Sequence, residues 1–135
     1  MSVFNACCII DDDEFFAFKA KRLMKETGFC ENILCYRDGQ EGIDSLIGLL
    51  IEDIPFPEII LLDLNMPQKN GWTFLEEFDN IPKAQVKNTK IYITSSFVSP
   101  ENMAKAKKYE IVEDYIVKPL TAESLETIIT SKKGV

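Results

Sequence analysis

Four polar stretches each follow directly on a short apolar run: Asp11-Asp12-Asp13, Asp63, Thr94-Ser95-Ser96 and Lys118-Pro119. The sharpest junction lies in "EIILLDLNMPQKNGW", residues 58–72, where Ile59 to Leu62 end in a lone acid, Asp63. Brought together, these stretches offer two or three carboxylates, a hydroxyl and an ammonium. Two carboxylates about 4 Å apart repel by roughly 4 kcal/mol at an effective dielectric near 20. Such a cluster needs a cation. Oxygen donors in a chain with no histidine suit Mg2+, which uses one or two carboxylates plus a phosphate oxygen and keeps several waters. A lysine and a hydroxyl opposite the metal hold the other oxygens of a phosphoryl group. Asp63 is then the nucleophile, forming an acyl phosphate.

Each stretch alone has a plainer reading. An acidic triplet before a helix is a helix cap whose charges the helix dipole favours. "NMPQKNG" is a set of turn formers, and "TSS" and Lys-Pro are ordinary loop residues. The joint pattern outweighs the parts, because all four tips fall at the carboxyl ends of apolar runs.

Those runs, residues 4–10, 33–36, 58–62, 90–94 and 115–117, read as strands buried on both faces. Between them lie helical patterns. Residues 14–27 put Phe16, Ala20 and Leu23 on one stripe, with Gly28 as the stop. Residues 40–52 carry Ile43, Leu46, Ile47 and Leu50 at helical spacing before "IPFP" breaks the pattern. A third helix covers 72–78. Ser99, followed by Pro100, caps a fourth, and Thr121 caps a fifth. Five alternating strand and helix segments predict an α/β domain with a parallel sheet covered on both faces. In such sheets ligands bind beyond the carboxyl ends of the strands, where the four polar tips lie.

Bulk properties narrow the functions. The 135 residues suffice for one domain with one core, and no repeat or linker marks a second. Twenty-two acids against fifteen bases leave a net charge of −7, which argues against non-specific binding to nucleic acid or anionic membranes. No apolar run approaches the roughly 20 residues that span a bilayer. The N-terminus lacks the basic region of a signal peptide, so a cytoplasmic location is expected. Cys7, Cys8, Cys30 and Cys35 lack C-x-x-C spacing and read as buried free thiols, with Cys7 and Cys8 on opposite sheet faces.

The motifs "IIDDDEFF", "LLDLNMPQKNGW", "IYITSS" and "DYIVKPL", in this order and spacing, resemble the receiver domain of two-component response regulators. The resemblance spans nearly the whole chain. It implies a doubly wound (βα)5 flavodoxin-like fold with strand order 2-1-3-4-5 and helices on both faces. It implies Asp63 as phosphoacceptor, and Asp11 and Asp12 as the acidic pair that holds Mg2+ with Asp63 and the Asn65 backbone carbonyl. Thr94 resembles the hydroxyl that moves toward the phosphoryl group, Lys118 the lysine that binds it, and Tyr115 the aromatic switch residue. A core tyrosine is the competing reading of Tyr115. Asn65 and Ser96, each two past a site residue, are the expected tuners of phosphoryl lifetime. Asp13 falls one past the acidic pair and reads as a helix cap. The resemblance also implies a cis Lys118-Pro119 bond.

The expectation is a single receiver domain over 1–135 with no output domain. It would be loaded by a sensor histidine kinase or a histidine phosphotransfer protein and would signal to a downstream protein, acting as a signalling domain rather than an enzyme. Two features depart from the family pattern. "YEIVEDY" replaces the small residues usual before the fifth strand, and "IPKAQVKNTK" reads as a long solvated loop. Rivals are a receiver-like scaffold that is never phosphorylated, a haloacid-dehalogenase-type phosphatase and a flavodoxin-like electron carrier. The phosphatase requires a second acid where Asn65 stands. The electron carrier's flavin phosphate would be repelled by Asp11–Asp13.

Overall fold

A computed structural model describes residues 2–66, 70–97 and 99–134. Its elements alternate as β1 (Phe4–Ile10), α1 (Glu14–Glu26), β2 (Cys30–Tyr36), α2 (Gly39–Ile51), β3 (Ile59–Asp63), α3 (Gly71–Phe78), β4 (Lys90–Ser95), α4 (Pro100–Ala106), β5 (Val112–Val117) and α5 (Ala122–Gly134). The strands form one parallel sheet in the order β2-β1-β3-β4-β5.

Side-chain alternation divides the core in two. On one face Cys8, Ile10, Ile60, Leu62, Ile91 and Ile93 pack against α2, α3 and Ala106 of α4. On the other, Cys7, Ile9, Ile59, Leu61 and Tyr92 meet Phe16, Ala20 and Met24 of α1 and Leu125 and Ile128 of α5. The adjacent cysteines thus point to opposite faces as expected. In β3, at the centre of the sheet, all five residues are buried. Each large side chain so buried contributes about 1.5–3 kcal/mol, which anchors the strand that ends in Asp63.

The edge strands differ from the sequence expectation. β2 begins at Cys30 and β5 at Val112, each three residues before the apolar stretch. Edge strands meet solvent, so Asn32 and Asp114 extend the pairing without the continuous apolarity of central strands. One consequence of the acidic "YEIVEDY" is visible here. The β4–β5 register passes from Ile91↔Val112 to Tyr92↔Asp114, leaving Glu113 as an extra residue.

Helix ends follow local chemistry. Asp13 Oδ1 accepts from the Phe15 and Phe16 N–H groups at 3.0 and 3.1 Å, making it the α1 cap. Ser99 Oγ accepts from Asn102 N–H, and Thr121 Oγ1 from Ser124 N–H. Gly28, at φ 75°, closes α1 with the Phe29 N–H donating to the Met24 carbonyl and its own N–H to that of Lys25. The same closure ends α2, but with Asp53 at φ 57°. α2 therefore stops at a left-handed aspartate, ahead of the Pro55 and Pro57 of "IPFP". Ile47 of that helix is 42% exposed rather than inward, because helical spacing put it on the flank of the stripe formed by Ile43 and Leu46.

Two further expectations are corrected. The segment 82–90 is not a solvated loop. It forms a 3-10 turn over Lys83–Gln85 and buries Val86 and Thr89, and Thr89 Oγ1 donates to the Pro57 carbonyl at 2.8 Å. Its polar side chains mask a tether to the amino end of β3. Cys35 is exposed while the other three thiols are buried, since alternate side chains of an edge strand need not meet a helix.

Candidate functional site

Parallel strand packing brings the four polar tips to one end of the sheet. Asp63 closes β3 and sits in register with Thr94 of β4. Asp11 directly follows β1, its N–H donating to the Tyr36 carbonyl at 3.0 Å. Lys118 directly follows β5, tied by its N–H to the Ser95 carbonyl at 2.8 Å, and the Lys118-Pro119 bond is cis as expected.

The acids converge. Asp11, Asp12 and Asp63 each offer a carboxylate oxygen, and these oxygens lie within 4.8 Å of one another. Asp11 and Asp63 are buried, at 2% and 7% exposure, while Asp12 faces solvent. At 4.8 Å a pair of unit charges repels by about 3.5 kcal/mol at an effective dielectric of 20. Among the described residues one cation answers. Lys118 Nζ lies 2.7 Å from Asp11 Oδ2 and 3.8 Å from Asp63 Oδ1. Among the described residues three carboxylates against one ammonium leave an excess of two negative charges, which a divalent cation matches.

The perturbed acidities agree with that count. Burial, then the Asp11 charge, pushes the Asp63 carboxyl up to about 6, although Lys118 and the Asn65 backbone N–H pull the other way. Burial also raises Asp11, against the hydrogen-bonding and charge of Lys118 and the Asp13 N–H. Geometry leaves one buried hydroxyl wanting a partner. Asp11 Oδ2 is met by the Lys118 ammonium at 2.7 Å, whereas the fully buried Thr94 Oγ1 has no hydrogen-bond partner among the described residues. Burying an unpaired hydroxyl costs about 1–3 kcal/mol, so this one is poised for an acceptor or donor that the described residues do not supply. All-oxygen donors and the charge excess fit Mg2+.

Three further expected residues are Tyr115, Asn65 and Ser96. Tyr115 lies on β5 with its ring against the core and its hydroxyl buried without a partner among the described residues, and burial pushes its pKa up. Asn65 is exposed, and its N–H bonds to the Asp63 carboxylate rather than leaving that oxygen free. Ser96 is exposed at the bend after β4. The turn read in "NMPQKNG" falls partly outside the described residues, at 67–69. Its far end is described, with Asn70 Oδ1 capping α3 by accepting from Thr73 N–H at 3.0 Å.

Two contributors escaped the sequence reading. Gly71 packs so closely that a Cβ there would lie 2.7 Å from the Asp63 carbonyl and 2.8 Å from Leu64 Cα. It read only as a turn glycine. Phe16 read as core stripe, yet Lys118 Nζ sits 4.7 Å from its ring centroid. An aromatic residue in the first turn after the acids was the available signal.

Comparison with known proteins bears on the same elements. Residues 7–130 match the family model described as the response regulator receiver domain. The chain belongs to that family. This receiver domain is 28% identical to a two-component response regulator of Cytophaga hutchinsonii, with a TM-score of 0.87 over 98% of each chain. A response regulator receiver protein of Dyadobacter fermentans is 27% identical, with a TM-score of 0.81 over 93% of this chain and 95% of that one. Among curated relatives, the cell cycle response regulator CtrA of Brucella ovis is 30% identical over 93% of this chain. The receiver spans about half (50%) of that relative's length. The probable methanogenesis regulatory protein FilR2 of Methanothrix harundinacea is 25% identical over 93% of this chain and 79% of its own.

Phosphorylation by kinases is the general function of receiver domains, and the Asp11, Asp12, Asp63 cluster fits the family's phosphorylation site. The family uses Mg2+ at this acidic pocket, and its members are signalling domains rather than conventional enzymes. Among the described residues no helix is long and apolar enough to cross a membrane.

Proposed function

We propose that Asp63 is the phosphoacceptor, loaded by a phosphohistidine on a sensor histidine kinase or a histidine phosphotransfer protein. The observation that carries this reading is the convergence of three carboxylates, one ammonium and one buried unpaired hydroxyl at the carboxyl end of the sheet. In the transfer an Asp63 carboxylate oxygen forms the new bond to phosphorus. The P–N bond breaks, and the imidazole leaves with the electron pair and takes up a proton. Catalysis is positioning and charge neutralisation, since the protein has little covalent chemistry of its own to perform.

Asp11, Asp12, Asp63 and the Asn65 carbonyl would hold Mg2+, whose bound charge offsets that of the phosphoryl oxygens. Lys118, already within 3.8 Å of the acceptor, shifts from Asp11 toward the new phosphoryl group. Thr94 then gains a hydrogen-bond acceptor for its buried hydroxyl. That gain biases the neighbouring β4–β5 edge, where Tyr115 has its own unpaired hydroxyl, between two packings. The altered surface signals by contact with a downstream protein. Asn65 and Ser96, exposed beside the site, set how readily water reaches the acyl phosphate.

The test is intact-protein mass after incubation with acetyl phosphate, with and without Mg2+, beside Asp63→Asn. A Mg2+-dependent gain of one phosphoryl mass, absent from the variant, is expected. No gain from acetyl phosphate or from a phosphorylated histidine phosphotransfer protein would replace this reading with an unphosphorylated scaffold.

A further inference from the structure

The acids at the start of α1 and the lysine after β5 are joined by a closed chain of contacts. Asp11 Oδ1 accepts from the Asp13 N–H at 2.9 Å. Asp13 Oδ1 accepts in turn from the Phe16 N–H at 3.1 Å. Phe16, only 8% exposed, turns its ring toward Lys118, whose Nζ lies 4.7 Å from the centroid. Lys118 Nζ returns to Asp11 Oδ2 at 2.7 Å. The third acid of "DDDEFF" therefore fixes the first turn of α1, and that turn fixes the ring under the ammonium.

From this circuit we infer that Phe16 is a positioning residue for Lys118, holding the ammonium within reach of Asp63 through the electron-rich face of its ring. The inference rests on the reading of Asp63 as phosphoacceptor. An ammonium with carboxylates on one side and nothing on the other is drawn onto the nearest acid. Here the ammonium rests on Asp11 at 2.7 Å and still lies 3.8 Å from Asp63 Oδ1, and the ring, 4.7 Å away, is the third contact that fixes this bridging position. A ring face attracts a cation electrostatically within about 6 Å of its centroid, most strongly where water is excluded. Lys118, its side chain 16% exposed, meets that condition. The ring has no ionisable group and binds no metal, so its hold on Lys118 persists when Asp11 and Asp63 are otherwise engaged. A leucine or methionine at position 16 fills the core but offers no such face.

Graded fluorination of Phe16 separates electrostatics from packing, because 4-fluoro-, 3,5-difluoro- and 3,4,5-trifluorophenylalanine keep the ring's shape while draining its negative face. Two quantities are followed along the series at equal melting temperature. One is the upfield ring-current shift of the Lys118 ε-methylene protons by NMR, in metal-free protein. The other is the maximal rate of Mg2+-dependent phosphorylation by acetyl phosphate. The shift is expected to shrink stepwise as the ammonium leaves the ring face. The rate is expected to fall about tenfold from phenylalanine to the trifluoro ring, equivalent to about 1.4 kcal/mol. Phe16→Met should resemble the trifluoro protein, and Phe16→Tyr should retain most of the rate. A flat shift would overturn the inference and leave Phe16 as core packing. A shrinking shift with an unchanged rate would overturn its role in transfer. A shrinking shift in a protein that takes no phosphoryl group at all would sustain the Phe16–Lys118 coupling while removing the phosphoacceptor reading.

Discussion

Replacing Asp63 by asparagine tests the charge balance of the site without any metal. In the folded chain the Asp63 carboxyl is pushed from 3.8 up to about 6. A gap of about two pH units is worth about 3 kcal/mol, at 1.36 kcal/mol each. The side chain is only 10% exposed, so solvent screening removes little of that figure. The sign follows from proton binding. Between about pH 4 and pH 6 the folded state holds more protons on Asp63 than the unfolded chain does, so this group makes stability fall as pH rises through that window. Above it the whole penalty stands, and below it the penalty is absent. Asparagine keeps the shape and never ionises. In chelator at about pH 7.5, Asp63→Asn is therefore expected to be about 2–3 kcal/mol more stable than wild type, with the advantage vanishing near pH 4. Urea unfolding followed by circular dichroism at both pH values measures it. Added Mg2+ should narrow the gap, because a ligand that binds only the folded wild type stabilises it by mass action. A variant no more stable at the higher pH, or equally advantaged at both, would mean that burial and the Asp11 charge do not act on Asp63 as the structure requires.

Two other substitutions probe the supports of the site. Gly71→Ala places a Cβ against backbone at 2.7 and 2.8 Å, which cannot yield as a side chain could. It should cost about 1–3 kcal/mol in urea unfolding and slow phosphorylation by displacing Asp63, whereas Gly48→Ala, with open space around it, should cost nothing comparable. Thr94→Val exchanges a buried, unpaired hydroxyl for a methyl group of similar shape. The metal-free protein should gain up to about 1 kcal/mol in the same assay, while the NMR shift differences between phosphorylated and unphosphorylated protein along β5 should collapse. A loss of stability there would show that the hydroxyl already has a partner in the resting state.

Period and punctuation in the chain were enough to determine most of the architecture. Continuous apolar runs marked the central strands, because a strand covered on both faces has no polar side to show, and β1 was read to the residue. Gly28, Ser99, Thr121 and Asp13 act within a turn of themselves, so their capping roles were legible without knowledge of the fold. The topological rule that ligands gather beyond strand carboxyl ends then brought Asp11, Asp12, Asp63, Thr94 and Lys118 into one expected site. Edge strands and the 82–90 tether were less legible, since solvent tolerates polar residues wherever backbone pairing alone holds the chain.

Only the tertiary structure decided how the site's groups share their charges. That Lys118 rests nearer Asp11 than Asp63, that Thr94 and Tyr115 bury hydroxyls without partners, and that Asp63 holds its proton up to about pH 6 all depend on distances between distant segments. The same holds for the ring of Phe16 beneath Lys118 and for the absent Cβ of Gly71 beside Asp63. Sequence periodicity reports which face of an element is apolar, because that preference is summed over many residues. It carries no measure of the ångström-scale separations between elements, and in a dry site Coulomb energies and hydrogen bonds change by kilocalories over those separations.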